Sequence, residues 1–170
     1  VSAAPGGEGA NDLLMLRFLH LKAMAAGKTG DFERYAHGRY ALVRGMEQAG
    51  IDSLVLAVSD TLSPVAPEAA RAVGSHLRAK GDPTGALEWF ARAAAAARDT
   101  TVRVAAMMDA ADVHLVDLGD REPAKRLYPD ALVGFPGSVF EAEVRTRLRR
   151  VTEKGGWEHL CILWESALVR

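Results

Sequence analysis

The groups in this chain best able to do chemistry are five histidines, one cysteine, a Gly-Lys-Thr triplet and a cluster of four aspartates. Gly27-Lys28-Thr29 has the ending of a phosphate-binding loop. Such a loop also needs a glycine five residues before Gly27 and a strand leading into it, because backbone N–H groups must cradle the phosphates. The earlier position holds Lys22 and the segment before it reads as helix, so the triplet is a helix end with a solvated lysine. His20, His37, His76, His114 and His159 never recur at the i, i+3 or i, i+4 spacing that places two ligands on one helix face. Cys161 has only His159 near it, and residues two apart on a helix point different ways. Asp109, Asp112, Asp117 and Asp120 crowd one segment, with Asp109 and Asp112 on a shared face. Paired carboxylates can bind a cation or act as acid and base. Their plainer role is to solvate the helix or to meet arginines of a neighbouring unit. No Ser–His or Cys–His pair has recognisable local context. The sequence therefore predicts no catalytic residue, no cofactor and no metal site.

The elements that must position these groups are helical. Strand signals are scarce, while Ala, Leu, Arg and Glu fill segments bounded by Gly, Asp and Pro. Helices are expected over Asp12–Ala26 and Asp31–Ala49, with Gly50 as a left-handed stop, and over Pro67–Lys80 and Thr101–Leu118. Ile51–Leu62 is apolar and helical in part. Asp82 should cap a helix whose first turn holds Pro83, where the missing N–H costs nothing. Asp120 should cap another. Ser138-Val139-Phe140-Glu141 reads as a capping box opening a helix to about Lys154. Pro129 falls inside a helix and should strain it by about 3 kcal/mol. From Ala91 to Ala97 only Arg92 interrupts the alanines, so two helices can approach closely there.

At 170 residues the chain can bury a core of its own. Its charged fraction of 25% and net charge of −1 exclude an extended basic nucleic-acid footprint. No apolar run reaches the roughly 18 residues a bilayer crossing needs, so no direct membrane insertion is expected. One cysteine allows no intrachain disulfide, and a cytoplasmic setting is the expectation. Residues 1–11, rich in Gly, Ala and Ser, read as a linker or cloning scar. The domain is accordingly expected to belong to a larger, even membrane-anchored, protein.

Four turns punctuate the rest: Gly30-Asp31-Phe32, Gly81-Asp82-Pro83, Gly119-Asp120-Arg121 and Gly155-Gly156-Trp157. Their glycines lie 51, 38 and 36 residues apart. After Gly81 come Ala86, Phe90 and Ala93; after Gly119 come Ala124, Tyr128, Ala131 and Pro136; after Gly155 come Trp157, Leu160, Trp164 and Ala167. Gly74 stands seven residues before Gly81. In these residues the chain resembles the tetratricopeptide repeat family, whose unit recurs about every 34 residues. Small residues let paired helices approach, and aromatics wedge between neighbouring pairs. The resemblance implies an all-α, right-handed α-solenoid of about four antiparallel helix pairs. It divides residues 12–170 into units at about 12–50, 66–99, 101–136 and 138–170, with an insertion at about 51–65. The first unit departs from the pattern in carrying Tyr35 where a small residue is usual.

Members of that family bind peptides in a concave groove lined by the first helix of each pair. The groove spacing, carried onto this chain, falls on Arg17, His20 and Met24, then on Glu68, Arg71, Ser75 and Arg78, then on Asp109, Val113 and Val116, and last on Arg145 and Arg149. Arginines there can fork onto carboxylates, which implies an acidic protein or peptide partner. The chaperone-binding members use asparagines in a carboxylate clamp; Ser75 and Arg149 occupy those places, so a chaperone tail is not the expected ligand. The final segment is apolar on most of its circumference, unlike a normal solenoid end. Trp157, Leu160, Trp164 and Leu168 are therefore candidates for self-association as a homodimer. Three roles stay open: a non-catalytic interaction module or scaffold, an oligomerisation domain, and a small-ligand sensor with a pocket near Met24, Met107 and Met108.

Overall fold

Helix-forming runs, most of them separated by a glycine, give eight α-helices among the described residues. The computed structural model describes residues 8–152, and among these every regular element is helical. They are α1 (Glu8–Ala25), α2 (Thr29–Val43), α3 (Glu47–Val58), α4 (Ala66–Ala79), α5 (Pro83–Ala96), α6 (Thr100–Asp112), α7 (Arg121–Gly134) and α8 (Glu141–Thr152). A π-helical turn, Val113–Asp117, prolongs α6.

The glycines explain the stops. Gly27, Gly45, Gly81 and Gly119 all have positive φ, the left-handed conformation that ends a helix and that a Cβ disfavours. Aspartates cap α5 and α7, as the sequence predicts. Asp82 Oδ1 accepts from the Gly85 N–H at 2.9 Å and Asp120 Oδ1 from the Glu122 N–H at 3.1 Å. Asp99 does the same for Thr101 at 2.9 Å. α8 starts later than its capping box suggests. Glu141 is its first residue, and the carboxylate reaches back to the Gly137 N–H rather than to Ser138. α7 continues through Pro129.

The expected helix over Asp31–Ala49 is in fact two. The chain turns at Gly45, and Gly50 lies buried inside α3 instead of ending a helix. Residues 51–58, expected in an insertion, are the body of α3. The reason is a close approach. A Cβ on Gly38 would stand 2.7 Å from Leu54 Cγ and 2.9 Å from the Gly50 carbonyl oxygen; one on Gly50 would stand 2.6 Å from Leu42 Cδ2. Two helices thus touch through paired glycines. Gly38→Ala is expected to destabilise the fold by about 1–3 kcal/mol despite alanine's better helix propensity, because a backbone oxygen cannot step aside. Urea denaturation measures this directly, and unchanged stability would refute the contact.

With the first turn at Gly45, one pattern runs through three helix pairs. Gly50, Leu54 and Ala57 on α3, Ala86, Phe90 and Ala93 on α5, and Ala124, Tyr128 and Ala131 on α7 are all buried. Corresponding positions are 36 and then 38 residues apart. α2 packs on α3, α4 on α5 and α6 on α7, and each pair contacts the next. The seams are made of small side chains: 14 of the 26 buried apolar residues among those described are alanine. Ala70, Ala93 and Ala106 meet where α4, α5 and α6 converge. Larger groups fill two cores, one around Tyr35 and Leu54 and one around Val104 and Tyr128.

α1 stands apart from this scheme. Leu19 and Ala23 pack into the first core, but Leu13, Leu14, Met15, Phe18, Leu21 and Met24 are more than half exposed. A helix apolar all round would normally be buried. Two ion pairs fix its C-terminal end, Lys22 to Asp99 at 2.6 Å and Lys28 to Asp60. Lys28, the basic residue of the Gly-Lys-Thr triplet, is thus a tether between two interhelical turns.

Candidate partner-binding groove

α4 presents the residues that the repeat spacing assigns to a groove. Glu68, Arg71, Ser75 and Arg78 recur at helical intervals, and the first three line surface hollows. Arg71 is the pivot. Its Nε and Nη2 both donate to Asp109 Oδ2 at 2.8 Å, and Nη1 reaches Glu68 Oε2 at 3.3 Å. Burial works against the guanidinium charge, but the Asp109 and Glu68 carboxylates outweigh it and hold the group above its usual range. Arg78 Nε donates to Asp117 Oδ2 at 2.6 Å. Arg147 of α8 binds Asp112, which also accepts from the Tyr128 hydroxyl at 2.6 Å. Burial and the Asp112 carboxylate push the Tyr128 phenol well above its ordinary range.

The four clustered aspartates therefore serve different masters. Asp109, Asp112 and Asp117 each take an arginine from a neighbouring helix, and Asp120 caps α7. Asp109 and Asp112, despite their shared face, do not form a paired-carboxylate site. Among the described residues no group of three or more His, Cys, Asp or Glu side chains is placed to share a metal ion.

Two hollows flank α4. The smaller, about 320 Å³, lies between α2 and α4 and is polar, with Arg39, Arg71, Ser75 and His76 in its walls. Arg39 Nη1 donates to the Tyr35 hydroxyl at 3.2 Å, and its guanidinium lies 5.9 Å from the Tyr35 ring centre. His76 Nε2 meets Glu47 Oε1 at 3.0 Å, with Lys80 Nζ on the other oxygen at 2.6 Å. The hydrogen bonds from Lys80 and His76 pull the Glu47 carboxyl below its ordinary range, Lys80 more strongly. The larger hollow, about 510 Å³, is mainly apolar and opens along one side. α1 forms one wall, with α4, the start of α6 and Phe140 around the rest. Glu68 and Arg71 belong to the walls of both hollows, so the two lie side by side along α4.

No protein-family model matches this chain, and no curated protein matches it.

The geometry sorts the residues expected in the groove. Glu68, Arg71 and Ser75 line it. Asp109 supports Arg71 from behind. Val113 is a correction: it is fully buried against Ala86 and Phe90 and presents no surface. The π-helical turn begins at Val113 and shifts the residues after it. One additional residue in the turn advances the register, so Asp117, rather than the exposed Val116, reaches Arg78. Arg17 and His20 are exposed on α1 and line neither hollow; His20 stacks on Phe32 at 4.7 Å. Arg145 is occupied by Glu141 of its own helix, and Arg149 is exposed away from both hollows. Met24, Met107 and Met108, expected around a ligand pocket, line neither hollow. Met108 is core, Met107 packs beside it and Met24 points outward. Trp157, Leu160, Trp164 and Leu168, with Cys161 and His159, lie outside the described residues.

Sequence reasoning missed Arg39, His76 and the α1 wall. A signal existed for Arg39. Moving 36 residues back from Arg71 and Ser75 lands on Tyr35 and Arg39, once Gly45 is taken as the first turn. The α1 wall had no such signal, because its place depends on contacts remote in sequence.

Proposed function

We propose that this chain is a tetratricopeptide-like helical repeat module, an α-solenoid that binds a segment of a partner protein in its concave groove and performs no catalysis. The observation that carries the proposal is the shared wall of Glu68 and Arg71, which joins a polar, basic cleft to an apolar hollow. A partner peptide needs both kinds of surface: apolar pockets for anchoring side chains and a few placed polar groups for orientation. Arginine suits carboxylates because its planar fork donates two parallel bonds. The partner is accordingly acidic in part. Small side chains in the seams and buried aromatics at regular spacing support the repeat family.

A small-ligand sensor fits less well. Such a site encloses most of its ligand, whereas the larger hollow is only partly enclosed.

The test is selection of random peptides, displayed on phage, against the intact 170-residue chain. Peptides are expected that bind the wild type and lose at least about tenfold in affinity to Ser75→Trp, equivalent to about 1.4 kcal/mol. Ser75 is exposed, so the new indole fills the cleft without disturbing the core. Peptides indifferent to Ser75→Trp would place recognition elsewhere.

A further inference from the structure

We infer that the hollow walled by α1 is an anchor site for one bulky apolar side chain of the bound segment, with a neighbouring carboxylate of that segment held by Arg98. This rests on the groove reading above and adds the chemistry of what the groove selects.

The first ground is the unusual state of α1. Met15 and Phe18 are 51% and 56% exposed, yet both face the hollow, opposite Pro67, Val102 and Phe140. Apolar side chains converging from α1, α4, α6 and the residue before α8 around an open volume of about 510 Å³ make a receptacle rather than a scatter of surface residues. That volume lies within the ordinary range of about 300–1,000 Å³ for ligand pockets. The wall is also fixed in place. Lys22 Nζ binds Asp99 at 2.6 Å and sits 4.5 Å from the Phe18 ring centre, tying α1 to the turn between α5 and α6. A preformed pocket avoids the ordering cost that a mobile one would add to binding.

The second ground is charge. Lys22, Arg71 and Arg98 line this hollow together with the carboxylates of Glu68 and Asp99. Lys22 is committed to Asp99, and Arg71 to Asp109 and Glu68. Arg98 is exposed and makes no ion pair among the described residues. It is the cation free to meet an incoming carboxylate, and a negative group beside the anchor is what the hollow attracts. The hollow is only partly enclosed, so a segment anchored in it can continue beyond it.

Random peptides selected on the intact chain should therefore pair Phe, Trp, Leu or Met with Asp or Glu a few positions away. One selected peptide is then titrated by fluorescence anisotropy against the wild type, Met15→Glu, Arg98→Glu and Ser75→Trp. Met15 and Arg98 are both exposed, so circular dichroism and the melting temperature should not change. The expected result is a loss of at least about tenfold for Met15→Glu and for Arg98→Glu. Replacing the peptide's apolar anchor with alanine should cost as much in the wild type and little more in Met15→Glu. Peptides that respond to Ser75→Trp but ignore Met15→Glu would keep the groove and overturn the anchor. Failure to find any peptide sensitive to Ser75→Trp would instead sink the groove reading. A concentration-dependent dimer in light scattering that Met15→Glu abolishes would assign the hollow to a second copy and overturn the inference.

Discussion

Phe90→Ala is expected to lower the unfolding free energy by about 3–5 kcal/mol, near the top of the range for aromatic truncations. Phe90 is 1% exposed and lies where α4, α5 and the π-helical turn meet, against Ala86 and Val113. Its ring fills the space that Gly74 leaves open, since a Cβ there would stand 2.8 Å from Phe90 Cε1. With Gly74 and Ala86 on two sides, the cavity can close only in part. Urea denaturation of both proteins gives the difference, and the melting temperature should fall by on the order of 10 °C. The explanation makes a sharper demand on a second substitution. Gly74→Val, a clash in the wild type, should be tolerated or favourable in the Phe90→Ala background. A value near 1 kcal/mol for Phe90→Ala, or no interaction between the two sites, would mean that the wedge is not what separates these helices.

Arg71→Met is the second large effect, expected at about 2–3 kcal/mol. Removing one partner of a buried ion pair costs about 3–5 kcal/mol because it strands the other charge, and partial exposure reduces this. The Arg71 and Asp109 side chains are each 25% exposed and Glu68 is 11% exposed, so water relieves part of the penalty. Methionine keeps the stem's packing and deletes the charge, leaving two carboxylates facing each other. The double variant Arg71→Met/Asp109→Leu should be more stable than the sum of the single losses predicts, with a coupling of about 1–2 kcal/mol. Additive losses would show that the pair is ornamental, as most exposed pairs are.

Much of this arrangement is written locally. Helix formers between Gly-Asp turns define α4, α5 and α7, and the aspartate caps follow from residue type alone. The pairing of the clustered aspartates with arginines of adjacent helices also follows from charge and spacing. The first unit is harder for a physical reason. Its turn, Arg44-Gly45-Met46, lacks the aspartate that marks the others, while Gly50 has the look of a stop. A glycine required for positive φ and a glycine required for close approach are the same letter; only the φ of 76° at Gly45 and the contacts at Gly50 tell them apart. The groove was legible on α4, where residues three and four apart must share a face, and illegible at the hollow. Met15, Val102 and Phe140 are far apart in sequence, and no spacing rule connects them. Val116 gives way to Asp117 beside Arg78 because one residue of additional winding is invisible to a periodic count.

That same winding makes the third unit non-interchangeable with its neighbours. Repeat arrays lend themselves to shuffling, in which one unit is excised and another grafted by matching turn to turn. Here, a graft of α4 and α5 in place of α6 and α7 would arrive with 36-residue phasing and no π-helical turn. The early contact at the level of Asp109 would keep its register, while the later one at Asp117 would slip past Arg78 by about a third of a turn. Engineers who wish to lengthen or recombine this array should treat Val113–Asp117 as part of the joint, copying it together with its arginine.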